Sequence, residues 1–262
     1  MQKVSIEYSI VSRGTEKYNN CGYMAISKIY DSCRYILNAD HNVKEVTLNT
    51  DYLKAKSCYS IENIIFSRFQ LISALTFERI KYRINDNILL LGLGNIGLSC
   101  LMYLLDNKYK NISIYIRSKN DKIVNLVKLI KSQYNVDVNI ISELNHSYKY
   151  NTYIDTTGDS FVLNKIFDNS KFNNTIIILS TPRDEKYLIS PLMINRKNLM
   201  IIGGHELNGI SIEFRQYIFE KILKINKTKN YLKKFINEYN YSEIKLKNII
   251  QKKSNFIEIF KY

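Results

Sequence analysis

Residues 87–105, NILLLGLGNIGLSCLMYLL, constrain the fold more than any other part of the chain. The apolar run 88–91 is too short for a helix and has the length of a buried strand. Gly92, Gly94 and Gly97 follow it with the spacing G-x-G-x-x-G. Apolar residues at helical spacing come next, namely Ile96, Leu98, Leu101, Leu104 and Leu105. A strand, a glycine turn and a helix in this order predict a dinucleotide-binding turn.

Each glycine of this turn meets a separate physical requirement. Gly92 allows the tight turn, Gly94 lacks a Cβ so that a pyrophosphate can approach the backbone, and Gly97 lets the helix pack close to the strand. Free amides at the helix start, where Asn95 and Ile96 lie, and the helix dipole then bind the phosphate charge.

Two other interpretations of the segment stay open. Residues 88–105 are uncharged and about long enough to span a bilayer as one helix. A methyltransferase of the same general fold class also carries a glycine loop after its first strand. The three glycines, Asn95 and the pattern downstream favour the dinucleotide turn over both.

Composition narrows the function classes. The chain has 262 residues, of which 45% are hydrophobic and 24% charged, an ordinary globular balance. Its net charge of +14 comes from lysines along most of the chain, densest at 221–253, and argues only weakly for a nucleic-acid partner. Four cysteines without CxxC spacing, and a start without a signal-peptide apolar core, predict a cytoplasmic protein.

The pattern along the chain predicts an α/β protein. The first 60 or so residues indicate short strands, 60–82 a helix, and 111–225 strands alternating with helices, which predicts a doubly wound parallel sheet. Ligands bind beyond the carboxyl ends of such strands. We therefore expect the polar turn Thr156-Thr157-Gly158 to contact the cofactor. Residues 226–262, with helical stretches near 231–239 and 254–262, should return to the N-terminal part.

The end of the second strand of a dinucleotide fold indicates the cofactor. An acidic residue there accepts a hydrogen bond from the ribose of NAD. This chain has Arg117-Ser118-Lys119 instead, and no carboxylate is present at these positions to repel a 2′-phosphate. The sequence therefore predicts NADP, with NAD as the alternative. The other interpretation is that both cations simply face water.

The chain resembles the medium-chain dehydrogenase/reductase superfamily, the relatives of zinc-type alcohol dehydrogenase. The resemblance rests on the glycine turn and on five further segments, namely Ser12-Arg13-Gly14-Thr15-Glu16, Gly22-Tyr23, Asp155-Thr156-Thr157-Gly158, 175–180 and 199–204. The S-R-G-T-E motif and the later G-Y are most similar to bacteriochlorophyllide-type dehydrogenases.

That resemblance implies an architecture. A Rossmann domain over 81–225 would lie between two parts of a small, abbreviated GroES-like β domain, 1–80 and 226–262. Nicotinamide and substrate would bind in the cleft between the domains. The resemblance also implies a homodimer formed through edge strands of the Rossmann sheet.

Two departures from the superfamily pattern concern zinc. Arg13 stands where zinc members have a cysteine ligand, and Tyr23 follows Gly22 where they have a histidine. Neither side chain serves as a zinc ligand, and the lobe of four cysteines for a structural zinc is also missing. We therefore expect no metal. His205-Glu206 looks like a metal motif but falls after a late Rossmann strand, where a contact near the nicotinamide or the surface is expected.

Without zinc, a cation or a hydroxyl has to stabilise a developing alkoxide. Thr15 matches the family position that relays the substrate proton, Tyr23 would donate a hydrogen bond and Arg13 would supply charge. Glu16 and His41 are weaker candidates. Each of the five also has an ordinary structural interpretation, such as an ion pair or a packed aromatic ring.

The sequence thus predicts a zinc-independent oxidoreductase that transfers hydride between NADPH and a carbonyl, an alcohol or an activated alkene of a small biosynthetic substrate. One alternative is a catalytically degenerate nucleotide-binding protein of the same fold. Another is an interaction module that uses the basic C-terminal region to bind nucleic acid.

Overall fold

The chain packs as two compact units. We call residues 1–71 with 207–262 the terminal unit, and residues 72–206 the central unit. The borders expected from sequence, after residues 80 and 225, lie further along the chain than these limits. The computed structural model describes residues 2–12, 16, 22, 24–80, 87–117, 121–144, 149–183, 186–206, 209–251 and 257–262.

The N-terminal part of the terminal unit is a sheet of short antiparallel strands. Strand β1 is paired on its two sides by β2 and by the last strand of the chain, and β3 pairs with β2 and with β5. The alternation of apolar residues and lysines explains why residues 53–56 form the strand β5, in which Leu53 and Ala55 are buried and the two lysines are exposed. The elements are β1 (Lys3–Ile10), β2 (Met24–Ser27), β3 (Cys33–Leu37), β4 (Glu45–Thr47), β5 (Leu53–Lys56) and the helix α1 (Ile61–Ile80).

The central unit is built on a parallel sheet. Its described strands are ordered β8-β7-β6-β9-β10-β11, which is the 3-2-1-4-5-6 order of a Rossmann fold. The three central strands β7, β6 and β9 are buried over their whole length, as in sheets covered on both faces. The elements are β6 (Ile88–Leu91), α2 (Asn95–Asp106), β7 (Ile112–Tyr115), α3 (Asp121–Tyr134), β8 (Asn139–Ile141), β9 (Thr152–Asp155), α4 (Ser160–Asn169), β10 (Thr175–Ile178), α5 (Pro191–Lys197) and β11 (Met200–Gly203).

The remaining elements complete the terminal unit. Ser211 caps the long helix α6, and Asn226 at its end donates to Ser67 and Gln70 of α1. Strand β13 pairs antiparallel with β1, so residues 257–261 belong to the same sheet as the N-terminal strands. The elements are α6 (Ile212–Asn226), a 3₁₀ helix (Asn230–Phe235), β12 (Ile236–Asn240), α7 (Glu243–Gln251) and β13 (Ile257–Lys261).

The helix expected near 231–239 is present only as the 3₁₀ helix Asn230–Phe235, and the helix expected near 254–262 is wrong for the described residues. Ile236–Asn240 and Ile257–Lys261 are parallel strands in register with each other. Isoleucine, tyrosine and phenylalanine fit a pleated sheet, and pairing with β1 decides the outcome over any local helical pattern.

The segment 88–105 is divided into β6, a turn and α2. This division excludes one membrane-spanning helix over these residues. None of the helices in the described part of the chain has the length and apolar content that crossing a membrane requires.

Candidate dinucleotide-binding site

The glycine turn joins the carboxyl end of β6 to the start of α2. Gly92 has a φ of +92°, in the left-handed region that glycine adopts readily. A Cβ on Gly92 would lie 2.9 Å from Cγ2 of Thr157, so both backbone and space require glycine there. Gly92 N–H donates to Tyr115 O at 2.9 Å, which ties the turn to the neighbouring strand β7.

Gly97 is the point where α2 packs against the turn. A Cβ there would lie 2.4 Å from Gly92 O and 2.8 Å from Oγ1 of Thr156. The Thr156 hydroxyl in turn donates to Leu91 O at 2.8 Å. The third glycine therefore allows the close helix–strand contact that the motif predicts. The hydroxyl of Thr156 supports the turn, and the contact of Thr156 with a cofactor stays a prediction.

Gly94 is the open position of the motif. It is exposed and forms the N-cap of α2 with φ −81° and ψ −166°. No described atom lies within 4 Å of the place where its Cβ would stand. As a glycine, the N-cap residue has no side chain to accept from the amides of the first turn of α2, around Ile96 and Gly97. Uncapped amides beside open space are what a bound diphosphate requires.

Asp155, at the end of β9, organises the adjacent turn. Its fully buried carboxylate accepts hydrogen bonds from the amide and hydroxyl of Thr157, at 2.9 and 2.6 Å, and from the hydroxyl of Ser180 at 2.8 Å. Gly158 has a φ of +63° and its carbonyl accepts from Arg183 N and Tyr187 Oη. These hydrogen bonds hold the turn of residues 156–158 in place next to the glycine motif.

Arg117 follows β7, and a carboxylate from a distant part of the sequence lies beside it. Its guanidinium forms an ion pair with Asp159, whose other carboxylate oxygen caps α4 by accepting from Phe161 N and Val162 N. This hydrogen bond and charge raise the pKa of Arg117. The Arg117 side chain stays 64% exposed, so the pair leaves it accessible to a phosphate. Ser118 and Lys119 lie outside the described residues.

The predicted catalytic residues Arg13, Thr15 and Tyr23 also lie outside the described residues. Among the residues the structure describes, no three histidine, cysteine, aspartate or glutamate side chains are placed to hold a metal ion. Of the expected nicotinamide-side pair, His205 is exposed and Glu206 is buried after the end of β11.

Glu16 and His41, the two weaker candidates, belong to one buried network. His41 Nε2 lies 3.0 Å from Oε1 of Glu16, which also accepts from Ser12 N. His41 Nδ1 lies 2.8 Å from Oγ of Ser9, and Ser9 contacts the hydroxyl of Tyr262 at 2.8 Å. The acid–histidine–serine connectivity is that of a catalytic triad. Ser9, however, is only 1% exposed, so the network acts as a structural clasp between β1 and the chain terminus.

Tyr262→Phe tests this clasp. The hydroxyl donates to His41 O, so its loss leaves buried acceptors unpaired and should lower the free energy of unfolding by about 1–2 kcal/mol at pH 7, measured in urea. Burial raises the pKa of Tyr262 from 10.0 to about 12. The phenol therefore contributes fully below pH 10, and its contribution is lost as pH rises through 12.

Stability of the wild type should decline between pH 10 and 12, and Tyr262→Phe should reduce that slope. Some slope will remain, because burial also raises the pKa of Tyr103 and Tyr153. Equal slopes for the two proteins would show that the Tyr262 hydroxyl is not held in the native state.

Sequence reasoning missed Asp159 and the roles of Asp155 and Ser180. The sequence shows Asp155 as part of D-T-T-G. Its role as an acceptor depends in part on Ser180, which follows the strand β10 and donates to Asp155. Asp159 carried a usable signal, since an aspartate directly before an apolar helical pattern is a typical N-cap.

No protein-family model matches this chain, and neither does any curated protein. Solved structures do match in fold. Galactitol-1-phosphate dehydrogenase from Escherichia coli has a TM-score of 0.77 at 13% identity, covering 99% of this chain and 92% of its own. The YhdH oxidoreductase from Salmonella enterica in complex with NADP has a TM-score of 0.75 at 12% identity, covering 99% and 90%. The quinone oxidoreductase from Thermus thermophilus, also solved with NADPH, has a TM-score of 0.70 at 11% identity, covering 99% and 91%.

At these identities the likeness concerns the fold. The predicted fold class, a Rossmann sheet together with a small GroES-like β domain, is confirmed by the strand order of the central unit and by these similarities. The chain therefore shares the fold of these solved oxidoreductases, and its residues 92–97 form the turn between the first strand and the first helix of the Rossmann sheet.

Proposed function

We propose that this chain is an NAD(P)H-dependent oxidoreductase with a preference for NADPH. Its reaction is hydride transfer between NADPH and a carbonyl, an alcohol or an activated alkene of a small biosynthetic substrate. The observation that carries the proposal is the open glycine turn, in which α2 begins at Gly94 without a capping side chain from that residue and with open space where its Cβ would stand. The matched solved structures support it, because YhdH and the quinone oxidoreductase were solved with NADP and NADPH bound.

The residues of the central unit fit a dinucleotide. Amides around Asn95, Ile96 and Gly97 bind the diphosphate, and Arg117 with Ser118 and Lys119 binds the 2′-phosphate. The turn of Thr156, Thr157 and Gly158 lines the same carboxyl edge of the sheet. The cofactor supplies the hydride chemistry when bound.

The S-R-G-T-E motif and the later Gly22-Tyr23 supply the rest of our proposal, on the basis of the superfamily resemblance. Thr15 carries the substrate proton, Tyr23 donates a hydrogen bond to the substrate oxygen, and Arg13 supplies positive charge. Because Arg13 and Tyr23 replace the zinc ligands, we propose that the reaction is zinc-independent and that the chain belongs to a branch resembling bacteriochlorophyllide-type dehydrogenases.

The cellular setting follows the same resemblance. We propose a cytoplasmic protein that forms a homodimer through β11, the last strand of the described central sheet. The exposed apolar side chains of Leu188, Ile189 and Leu192, in the connection between β10 and β11, support a partner surface.

Two measurements on the purified protein test the function. Titration with NADPH and NADH, followed by nucleotide fluorescence, should show saturable binding that is tighter for NADPH. Oxidation of NADPH should then be followed at fixed cofactor with panels of aldehydes, ketones, quinones and enones. Absence of binding for both dinucleotides would remove the proposal.

The degenerate alternative predicts binding without turnover. One observation favours it, because Glu16 and His41 are buried and engaged with each other in a structural clasp. Under this alternative Thr15→Ala and Tyr23→Phe change nothing measurable, whereas an active enzyme loses turnover with either change.

The Arg117–Asp159 pair gives a prediction of cofactor preference. Arg117→Gln should lower the ratio of NADPH to NADH affinity about tenfold, because it removes a charge-assisted bond to the 2′-phosphate. Asp159→Asn should raise the ratio, since it frees Arg117 while asparagine still caps α4.

Asp159→Asn serves as the control for Arg117→Gln, because both variants break the same ion pair but only Arg117→Gln removes the guanidinium. Asp159→Asn should leave thermal stability nearly unchanged, because an exposed ion pair contributes about 0–1 kcal/mol. If both variants leave the affinity ratio at the wild-type value, Arg117 does not contact the 2′-phosphate.

A further inference from the structure

A cavity lies in the terminal unit, and none of the residues assigned above lines it. Its volume is about 510 Å³, within the range of small-molecule sites. One wall is the β3–β5 face with Cys33, Lys54 and Lys56, and the other is α6 with Gln216, Leu223 and Lys224. Tyr52 and Tyr59 also line the cavity. We call this cavity the lysine pocket.

Two hydrogen bonds and one ion pair connect the two walls of the lysine pocket. The side-chain amide of Gln216 pairs with the main chain of β5, accepting from Lys54 N and donating to Lys54 O at 2.9 Å each. One residue earlier on α6, Arg215 forms an ion pair with Asp51. The pocket is therefore formed without a ligand, which lowers the cost of ordering it on binding.

Three lysine side chains supply positive charge to the pocket. No ion pair joins Lys54, Lys56 or Lys224 to a carboxylate within the described part of the chain. Lys54 Nζ instead lies 5.6 and 5.5 Å from the ring centroids of Tyr35 and Tyr52. Aromatic rings in this arrangement hold an ammonium in place without neutralising it.

Two carboxylates, those of Glu213 and Glu220, also line the pocket. Oε1 of Glu220 accepts from Gln216 Nε2 at 2.8 Å. Glu213 lies in the first turn of α6, where hydrogen bonds from its own amide and from Ser211 lower its pKa. The lining thus carries three lysines against two glutamates, a formal net charge of +1, beside a surface of tyrosine, isoleucine and leucine side chains.

We propose that the lysine pocket binds a small aromatic anion, an aryl phosphate or aryl carboxylate. The anionic group pairs with Lys54 and Lys56, which lie two positions apart on the same exposed face of β5. The ring packs between Tyr52 and Leu223. This site uses no residue of the glycine turn, so its failure would leave the proposed oxidoreductase function untouched.

Calorimetry with matched probes tests the charge and the ring separately. Phenyl phosphate should bind the full chain at least tenfold more tightly than benzyl alcohol, benzylamine or inorganic phosphate. Equal affinity for benzyl alcohol would overturn the role of the lysines, and equal affinity for inorganic phosphate would overturn the role of the ring. No binding of phenyl phosphate or benzoate would overturn the site.

Variants locate the binding. The double variant Lys54→Gln/Lys56→Gln should lose at least tenfold in phenyl phosphate affinity, while Lys3→Gln, an exposed strand lysine outside the pocket, should bind as the wild type. Unchanged affinity in the double variant contradicts the proposal. Alkylation of Cys33, which lines the pocket, should be slowed by phenyl phosphate, whereas alkylation of the exposed Cys58 should not. The alkylation measurement uses the wild type, so it keeps the test valid if the double variant folds poorly.

Discussion

Gly97→Ala should destabilise the central unit, with a loss of roughly 2 kcal/mol in the free energy of unfolding. Its Cβ would stand 2.4 Å from Gly92 O and 3.0 Å from Gly92 C, backbone atoms that cannot move without opening the turn. Overpacking of this kind costs about 1–3 kcal/mol or more. Alanine returns up to about 1 kcal/mol of that as helix propensity. Thermal or urea unfolding of the variant measures the difference.

Ser99→Ala is the matched control, two positions further along α2. Ser99 is fully buried, and its hydroxyl has no hydrogen-bond partner among the described residues. Removing an unpaired buried hydroxyl should be neutral or slightly stabilising. If Gly97→Ala unfolds like Ser99→Ala, the close contact between α2 and the turn does not exist in solution.

The glycine turn could be predicted because its information is local. Three glycines, an apolar strand and a helical pattern lie within residues 87–105, and each residue type answers to a backbone or packing demand of the same turn. The alternation of strands and helices then predicts a parallel sheet, since parallel strands need crossovers. The strand order itself, with β9 beside β6, confirms the expectation of a Rossmann sheet.

The C-terminal strands could not be predicted in the same way. Ile257–Lys261 is a strand because it pairs with Tyr8, Ser9 and Ile10, at the other end of the chain. Its local pattern, with lysines and asparagine before it, also fits a short helix. Tertiary pairing decides between two weak local preferences, and one sequence read alone does not contain the pairing.

The ion pairs of the candidate site likewise depend on tertiary contacts that a local sequence pattern does not contain. The segment Arg117-Ser118-Lys119 has no carboxylate of its own, whereas the folded chain brings Asp159 to the Arg117 guanidinium from 42 positions away. The reason is topological, because β7 and β9 both flank β6 and end at the same edge of the sheet. Likewise Glu16 could be paired with Arg13 on sequence grounds, but its described partners are Ser12 and His41.

Gly94→Ala should separate binding from folding. No described atom lies within 4 Å of the position that the added methyl group would take, and the φ of −81° suits alanine, so the free protein accepts the change. Loss of a glycine N-cap costs less than about 1 kcal/mol of stability. The added methyl group, however, stands where the diphosphate must approach the backbone. We expect NADPH and NADH affinities to fall about a hundredfold, or ~2.8 kcal/mol.

Titration of NADPH into Gly94→Ala, Ser99→Ala and the wild type measures this effect, with a melting curve for each protein. Ser99→Ala should bind as the wild type, because its side chain is buried within α2 and away from the open turn. The decisive comparison is between the two glycines, since Gly97→Ala should lose stability and Gly94→Ala should lose affinity while still folding. A Gly94→Ala protein that binds NADPH about as tightly as the wild type would mean that no diphosphate approaches this turn. The proposed oxidoreductase function would then lose its main support, because every other assigned cofactor contact is placed relative to that diphosphate.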